Sequence, residues 1–218
     1  MTDKLLAIYN TLYKHYGPQY WWPGESPWEI CVGAILTQNT NWRNVEKAII
    51  NLKKSNFIST TSKTPDCSIR LLNADNSVIE KLIRPSGYYR MKTKTLKNFA
   101  LWWSNNVSEQ KLKENPTINE IRPSLLSVNG IGPETADSIL LYAFNLPTFV
   151  IDAYTKRIMT RHAQTDLNIK YNDLRELFMK NLPNNPNLFK EFHALFVQLA
   201  KESCLKNKCT HSCVLRCL

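Results

Sequence analysis

No run of about 18 apolar residues occurs in this 218-residue chain, so it offers no membrane-spanning helix. The opening Met1-Thr2-Asp3-Lys4 carries no secretory pattern, and the expected location is inside the cell, cytoplasmic and nucleoid-associated if bacterial. There is no internal repeat, no low-complexity tract and no convincing period-2 alternation, which removes solenoid, disordered and β-rich classes. Acidic residues are scarce: 18 Asp and Glu stand against 28 Lys and Arg, a net charge of +10. That balance points to a polyanionic partner, nucleic acid before membrane, beside the plainer reading of a soluble basic protein. Glycine is also sparse, at 6 residues, and two of them fall together in Asn129-Gly130-Ile131-Gly132.

What is present is a globular, all-α pattern, with 43% hydrophobic residues and loops of ordinary length. Helices are predicted over residues 3–16, 27–36, from about Asn41 onward, 75–82, 91–103, 171–182 and 187–201. Residues 56–66 and 104–123 read as polar loops. Between Leu125 and Arg157 the pattern tightens. Two glycines allow a tight turn with positive φ, Pro133 suits the first position of a helix, and Ala136, Ile139, Leu140 and Ala143 form one apolar stripe. Backbone N–H groups bared by Gly130 and Gly132 beside a helix N-terminus favour an anion such as a DNA phosphate. Downstream, the apolar Phe149-Val150-Ile151 ends at Asp152, followed by Tyr154, Lys156, Arg157, Arg161 and His162. A carboxylate there serves as a helix N-cap, or as a charge facing a reacting sugar; the two roles are compatible.

G-I-G-P-E-T-A-D (130–137) followed by V-I-D-A-Y-T-K-R (150–157) resembles the helix-hairpin-helix, Gly/Pro-rich loop and catalytic Asp of the endonuclease III superfamily of DNA glycosylases. The resemblance covers nearly the whole chain. Eighteen positions separate Glu134 from Asp152, the family's interval between its lyase position and its Asp. It implies a two-lobe fold: residues 25–135 as a helical-barrel lobe, and residues 1–24 with 136–218 as a second lobe, with DNA in the cleft. It implies double-stranded DNA as partner, acting on it as a monomer. Asp152 becomes the catalytic residue. Gly130, Gly132, Lys156 and Arg157 become DNA contacts. Gln38, in L-T-Q-N-T, would fill the gap left by a flipped nucleotide, or simply form a polar turn. Tyr88 would wedge into the duplex, or belong to the core.

The finer assignment rests on three departures and matches. Bifunctional relatives carry Lys where this chain has Glu134, and a Glu cannot form a Schiff base, so base removal without strand cleavage is expected. Glu134 would stabilise its helix N-terminus or attract a cationic base. Gly33 and Ala34 stand where adenine-mismatch enzymes carry a catalytic Glu. Trp21-Trp22-Pro23, Trp42 and R-P-S-G-Y-Y (84–89) resemble the endonuclease III-like 3-methyladenine DNA glycosylases, whose aromatic rings sandwich the extruded base. Core tryptophans are the alternative. The expected function is a monofunctional DNA N-glycosylase of base excision repair acting on alkylated purines. Alternatives are an endonuclease III-like glycosylase and lyase acting on oxidised pyrimidines, a non-specific DNA-binding helix-hairpin-helix protein, or a metal-stabilised scaffold.

Six cysteines are present. Cys31 and Cys67 are isolated and read as ordinary thiols. Cys204, Cys209, Cys213 and Cys217 crowd into the last fifteen residues as C-x4-C-x3-C-x3-C. Many superfamily members end in a four-cysteine [4Fe–4S] loop, spaced C-x6-C-x2-C-x5-C, and this chain differs at every gap. A [4Fe–4S] cluster, zinc and bare thiols are all compatible, and His211 could replace one ligand.

Overall fold

Apolar residues spaced three and four apart make the chain helical, and no strand forms among the described residues; one isolated antiparallel bridge pairs Cys204 with Cys209. The computed structural model describes residues 1–59, 64–107 and 117–216. The chain divides into two compact units, Met1–Trp22 with Asn145–Leu218, and Pro23–Phe144. Among the described residues no helix is long and apolar enough to cross a membrane.

The continuous unit is built around α2 (Pro27–Leu36), which is buried on nearly every side. Pro27 opens this helix, and the Ser26 hydroxyl accepts the Glu29 N–H at its start. α3 (Trp42–Lys54) begins at Asn41, whose side chain accepts from the Asn44 N–H. Next come α4 (Thr64–Asn73), α5 (Asn76–Ile83), a 3-10 turn (Arg84–Ser86) and α6 (Tyr89–Asn106). The hairpin pair is α7 (Ile118–Leu126) and α8 (Pro133–Ser138), the latter running on as a π-helical turn through Ile139–Ala143. Helix α2 packs against α3, α6, α8 and that π turn. Trp28, Phe99 and Trp103 fill the space, and the Trp28 indole N–H donates to the Phe57 carbonyl at 2.9 Å.

Two of these helices lie where loops are predicted. α7 opens with a capping box, Thr117 and Glu120, and tolerates Pro123 within it. α4 starts at Thr64, inside the expected 56–66 loop. Residues 60–63 and 108–116 of those two stretches lie outside the described residues.

A half-buried arginine and a buried lysine tie elements of this unit together. The Arg122 guanidinium makes a bidentate pair with Asp137, at 2.9 and 3.0 Å, linking α7 to α8. The Asp137 side chain is fully buried. Lys92, 3% exposed, donates to the carbonyls of Leu36 and Ser86 at 2.8 and 2.7 Å, closing the C-terminal ends of α2 and the 3-10 turn. Burial brings its pKa down to about 8.

The other unit joins α1 (Thr2–Tyr16) to α9 (Ala153–His162), α10 (Tyr171–Asn181) and α11 (Pro186–Glu202). Gly17, at φ 67°, ends α1. Helix α11 is its axis, with α1 and α9 packed on it. Phe149, Phe178, Phe189, Phe192 and Phe196 are fully buried and meet ring to ring. Each such ring contributes about 1.5–3 kcal/mol by leaving water.

Two outcomes follow. Arg122→Met removes the guanidinium from a buried carboxylate and should lower unfolding stability by roughly 3–5 kcal/mol in urea titration; a loss below about 1 kcal/mol would show the pair is dispensable. Lys92 is less basic folded than unfolded, so the unfolded chain binds the extra proton and wild-type stability should rise from about pH 8 toward the ordinary lysine value. Lys92→Met should flatten that rise in chemical denaturation measured across the same pH range.

Candidate active site and cysteine centre

Helix α9 begins at Asp152 because the buried run Phe149-Val150-Ile151 delivers an extended backbone there, φ −90° and ψ 178°. Its Oδ1 accepts the Thr155 N–H at 2.6 Å, an N-cap bond. The other oxygen, Oδ2, lies 3.5 Å from Nε2 of His193 on α11, and the Asp152 side chain is 14% exposed. Burial pushes the Asp152 carboxyl up. The His193 hydrogen bond and charge, with the Thr155 N–H, outweigh that and hold it below the ordinary aspartate value. Asp152 is therefore a fixed carboxylate with one oxygen committed to the helix and one facing an imidazole.

The aromatic loop attaches to the same group. The His193 ring lies parallel to Trp21, centroids 5.7 Å apart and 3° between planes. Trp21 is in turn parallel to Trp22, at 5.7 Å and 12°. The Lys201 ammonium sits 5.9 Å from the Trp21 ring centroid. Both tryptophans are half-buried and Pro23 is exposed, so this loop is not a core element. His193 is the residue sequence reasoning missed. It stands on the apolar α11 pattern F-H-A-L-F, where an imidazole reads as core, and only the fold brings it to Asp152.

On the continuous unit the hairpin is set by Gly130, at φ 95°, where an added Cβ would collide with the Thr95 side chain. Of the two glycines, only Gly130 takes the positive φ that the turn needs. Gly132 is extended at φ −91°, and a Cβ there meets nothing within 4 Å, because its place is the N-cap before Pro133. Gln38 is tied to the hairpin, its Nε2 donating to the Gly130 carbonyl at 3.0 Å and to Thr135 Oγ1 at 2.9 Å. Asn98 donates to the Asn129 carbonyl at 3.1 Å. Glu134 is exposed in the first turn of α8. Tyr88 is 70% exposed with a left-handed backbone, φ 46°. Trp42 is half-buried at the first position of α3.

The basic residues of α9 turn toward the C-terminal loop. Arg157 Nε donates to the Cys204 carbonyl at 3.0 Å, and its guanidinium also lies over Tyr154. Arg161 donates to the carbonyls of Leu205 and Lys206 at 2.6 and 2.8 Å, and lies 3.4 Å from Cys204 Sγ. Arg157, expected on DNA, is thus engaged within its own unit, whereas Lys156 is half-buried beside Asp152. Cys204 and Cys213 are buried and Cys209 half-buried, and all three gather around His162 Nε2, at 3.7–3.8 Å. Cys217 lies outside the described residues. His211 is exposed and lies 2.6 Å from Arg216; His162 takes the place expected of it. Burial pushes the Cys204 thiol up, but His162 and Arg161 bring it down to about 7; burial and the two neighbouring thiols push Cys209 up to about 11.

Comparison with known proteins agrees with this geometry. A family model described as HhH-GPD superfamily base excision DNA repair protein matches residues 32–184. A candidate DNA repair glycosylase of Methanocaldococcus jannaschii is 42% identical over 216 residues, covering 98% of this chain and 94% of that one. Endonuclease III of Sulfolobus acidocaldarius is 28% identical over 186 residues, covering 85% and 78%. The crystal structure of the H. pylori 3-methyladenine DNA glycosylase MagIII, bound to 1,N6-ethenoadenine, superposes with a TM-score of 0.76 at 27% identity, covering 92% of this chain and 97% of that one.

The Asp152–His193 pair makes a prediction about charge. Replacing His193 with Phe should move the Asp152 carboxyl titration, followed by carbon NMR, upward toward the ordinary aspartate value. The depressed carboxyl stabilises the fold above that ordinary value, and the contribution disappears as pH falls through the depressed one. An unchanged Asp152 titration in the variant would show that His193 does not set its charge.

Proposed function

We propose that this chain, which belongs to the HhH-GPD superfamily of base excision DNA repair proteins and is a DNA glycosylase, removes alkylated purines of the 3-methyladenine kind from double-stranded DNA without cutting the strand. The observation that carries the reading is the parallel series Trp22, Trp21, His193, whose last ring lies 3.5 Å from the Asp152 carboxylate. It brings an aromatic surface and a fixed anion into one unit. Alkylation leaves a purine positively charged, and a ring face attracts such a base by about 0.5–2 kcal/mol. MagIII, itself named for 3-methyladenine, shares the fold at 27% identity, which supports the same substrate class.

The chemistry needs little acid. When the C1′–N bond breaks, its electron pair leaves with the cationic base, which becomes neutral. Positive charge develops on the sugar, where the Asp152 carboxylate stabilises it. Water adds at C1′ and gives up its proton to Asp152 or solvent, leaving an abasic site. Glu134 stands where a lyase carries Lys, so no Schiff base links protein to sugar. Gly130 and Gly132 offer backbone N–H groups to phosphate, Lys156 adds a positive charge, exposed Tyr88 enters the duplex, and Trp42 and Pro23 contribute to recognition of the base. Gln38 acts by holding the hairpin and presents its edge to the emptied position. The protein works as a monomer. The cysteine loop of residues 204–216 takes no part in these steps.

Incubation with methylated duplex DNA, followed by chromatography of the released bases, tests the reading. Release of 3-methyladenine is expected, with strand breaks only after alkali. Asp152→Asn should slow release by about 10²–10⁴-fold. Release of oxidised pyrimidines together with a borohydride-trapped protein–DNA adduct would establish the lyase alternative instead.

A further inference from the structure

The last turn of α9 places His162 against the cysteine loop. Its Nε2 is 3.8 Å from Cys204 Sγ, 3.7 Å from Cys209 Sγ and 3.7 Å from Cys213 Sγ. The ligand atoms of His162, Cys209 and Cys213 all lie within 4.8 Å of one another. Hydrogen bonding does not account for this convergence. A ring nitrogen carries one proton or one lone pair, so it serves one thiol well and not three. A single tetrahedral ion does account for it. With metal–sulfur and metal–nitrogen bonds of about 2.3 and 2.0–2.1 Å, the nitrogen stands about 3.5–3.6 Å from each sulfur, within a few tenths of an ångström of the spacing here.

The loop is folded to hold that arrangement. Cys204 and Cys209 pair across an antiparallel bridge, Thr210 N–H donates to the Ser203 carbonyl at 2.8 Å, and Cys213 N–H donates to the Thr210 carbonyl at 3.2 Å. Arg157 and Arg161 grip the carbonyls of residues 204–206 from α9 itself. The donors therefore sit on two rigid pieces joined by several hydrogen bonds. A [4Fe–4S] cluster inserts iron–sulfide edges between its thiolates and holds them farther apart than one ion does, so the approach of Cys209, Cys213 and His162 to within 4.8 Å of one another suits one ion better.

We propose that His162, Cys209 and Cys213, joined by Cys204 as the fourth donor beside the same ring nitrogen, bind one divalent ion of the zinc class as a closed structural site that does not require Cys217. Three thiolates and an imidazole suit zinc, and four protein ligands leave no open position for chemistry. The site ties the C-terminal loop to α9 and is independent of which base the protein removes.

The test uses the whole chain, produced with both iron and zinc supplied. Metal and acid-labile sulfide are measured per chain, and visible spectra are recorded before and after replacement of the ion by cobalt(II). The expected result is about one zinc per chain, no sulfide, a colourless protein and a tetrahedral cobalt spectrum with sulfur charge-transfer bands. His162→Ala should lose most of the ion and lower Tm. His162→Cys should retain it with an altered cobalt spectrum, and Cys217→Ser should bind as wild type. Iron and sulfide in equal amounts, lost in Cys217→Ser but kept in His162→Ala, would overturn the proposal. So would a wild-type protein that binds neither zinc nor cobalt. Where His162→Ala does not fold, the metal content and spectrum of Cys217→Ser decide between the two ligand sets.

Discussion

A single hydrogen bond, from the Thr155 N–H to Asp152 Oδ1, fixes where helix α9 starts, and the rest of its unit takes its register from there. Starting one residue later would rotate every following side chain by about 100°. With the start at Ala153, Arg157 and Arg161 fall four apart on the same face and reach the cysteine loop together. His162 then meets the three thiols, and Asp152 Oδ2 is left directed at His193. Ten residues of helix, about 15 Å, carry a carboxylate at one end and an imidazole among sulfurs at the other.

That arrangement explains how one carboxylate can cap a helix and still face an imidazole. Its two oxygens have different neighbours. Oδ1 satisfies an N–H that would otherwise be orphaned at a helix start, while Oδ2 faces His193, whose ring lies parallel to Trp21. The helix N-terminus and the imidazole both favour the charged form, against the burial that opposes it. An imidazole and a helix N-terminus thereby hold the Asp152 carboxyl below the ordinary aspartate value.

Local patterns were legible in the sequence, and long-range ones were not. Gly130, Pro133 and the apolar run before Asp152 announce the hairpin and the acid because each acts on its immediate neighbours. The burial of α2 follows from its composition alone. Which of the two nearby glycines takes positive φ is not legible, since they look alike until the backbone shows that it is Gly130. Helix α7 was hidden by Pro123, although Thr117 and Glu120 were its start signal. His193 and His162 stayed silent for a different reason. Their partners lie about forty or more residues away, and nothing in a helical stripe distinguishes a histidine that meets a carboxylate or thiols from one that fills space. Arg157 reads as a phosphate contact because its position near Asp152 says nothing about which way its side chain turns.

The discontinuity of the first unit has a consequence for how the chain is made. Helix α1 is synthesised early, but the helices it packs on, α10 and α11, follow more than a hundred residues later. On the ribosome, Pro23–Phe144 is complete before α9 exists, so that unit can fold while α1 waits without its apolar partners. Closing so long a loop adds little extra entropy cost per residue, but it delays the event. The acid, its histidine and the cysteine loop are thus assembled last, and a chain released early would carry the hairpin without them.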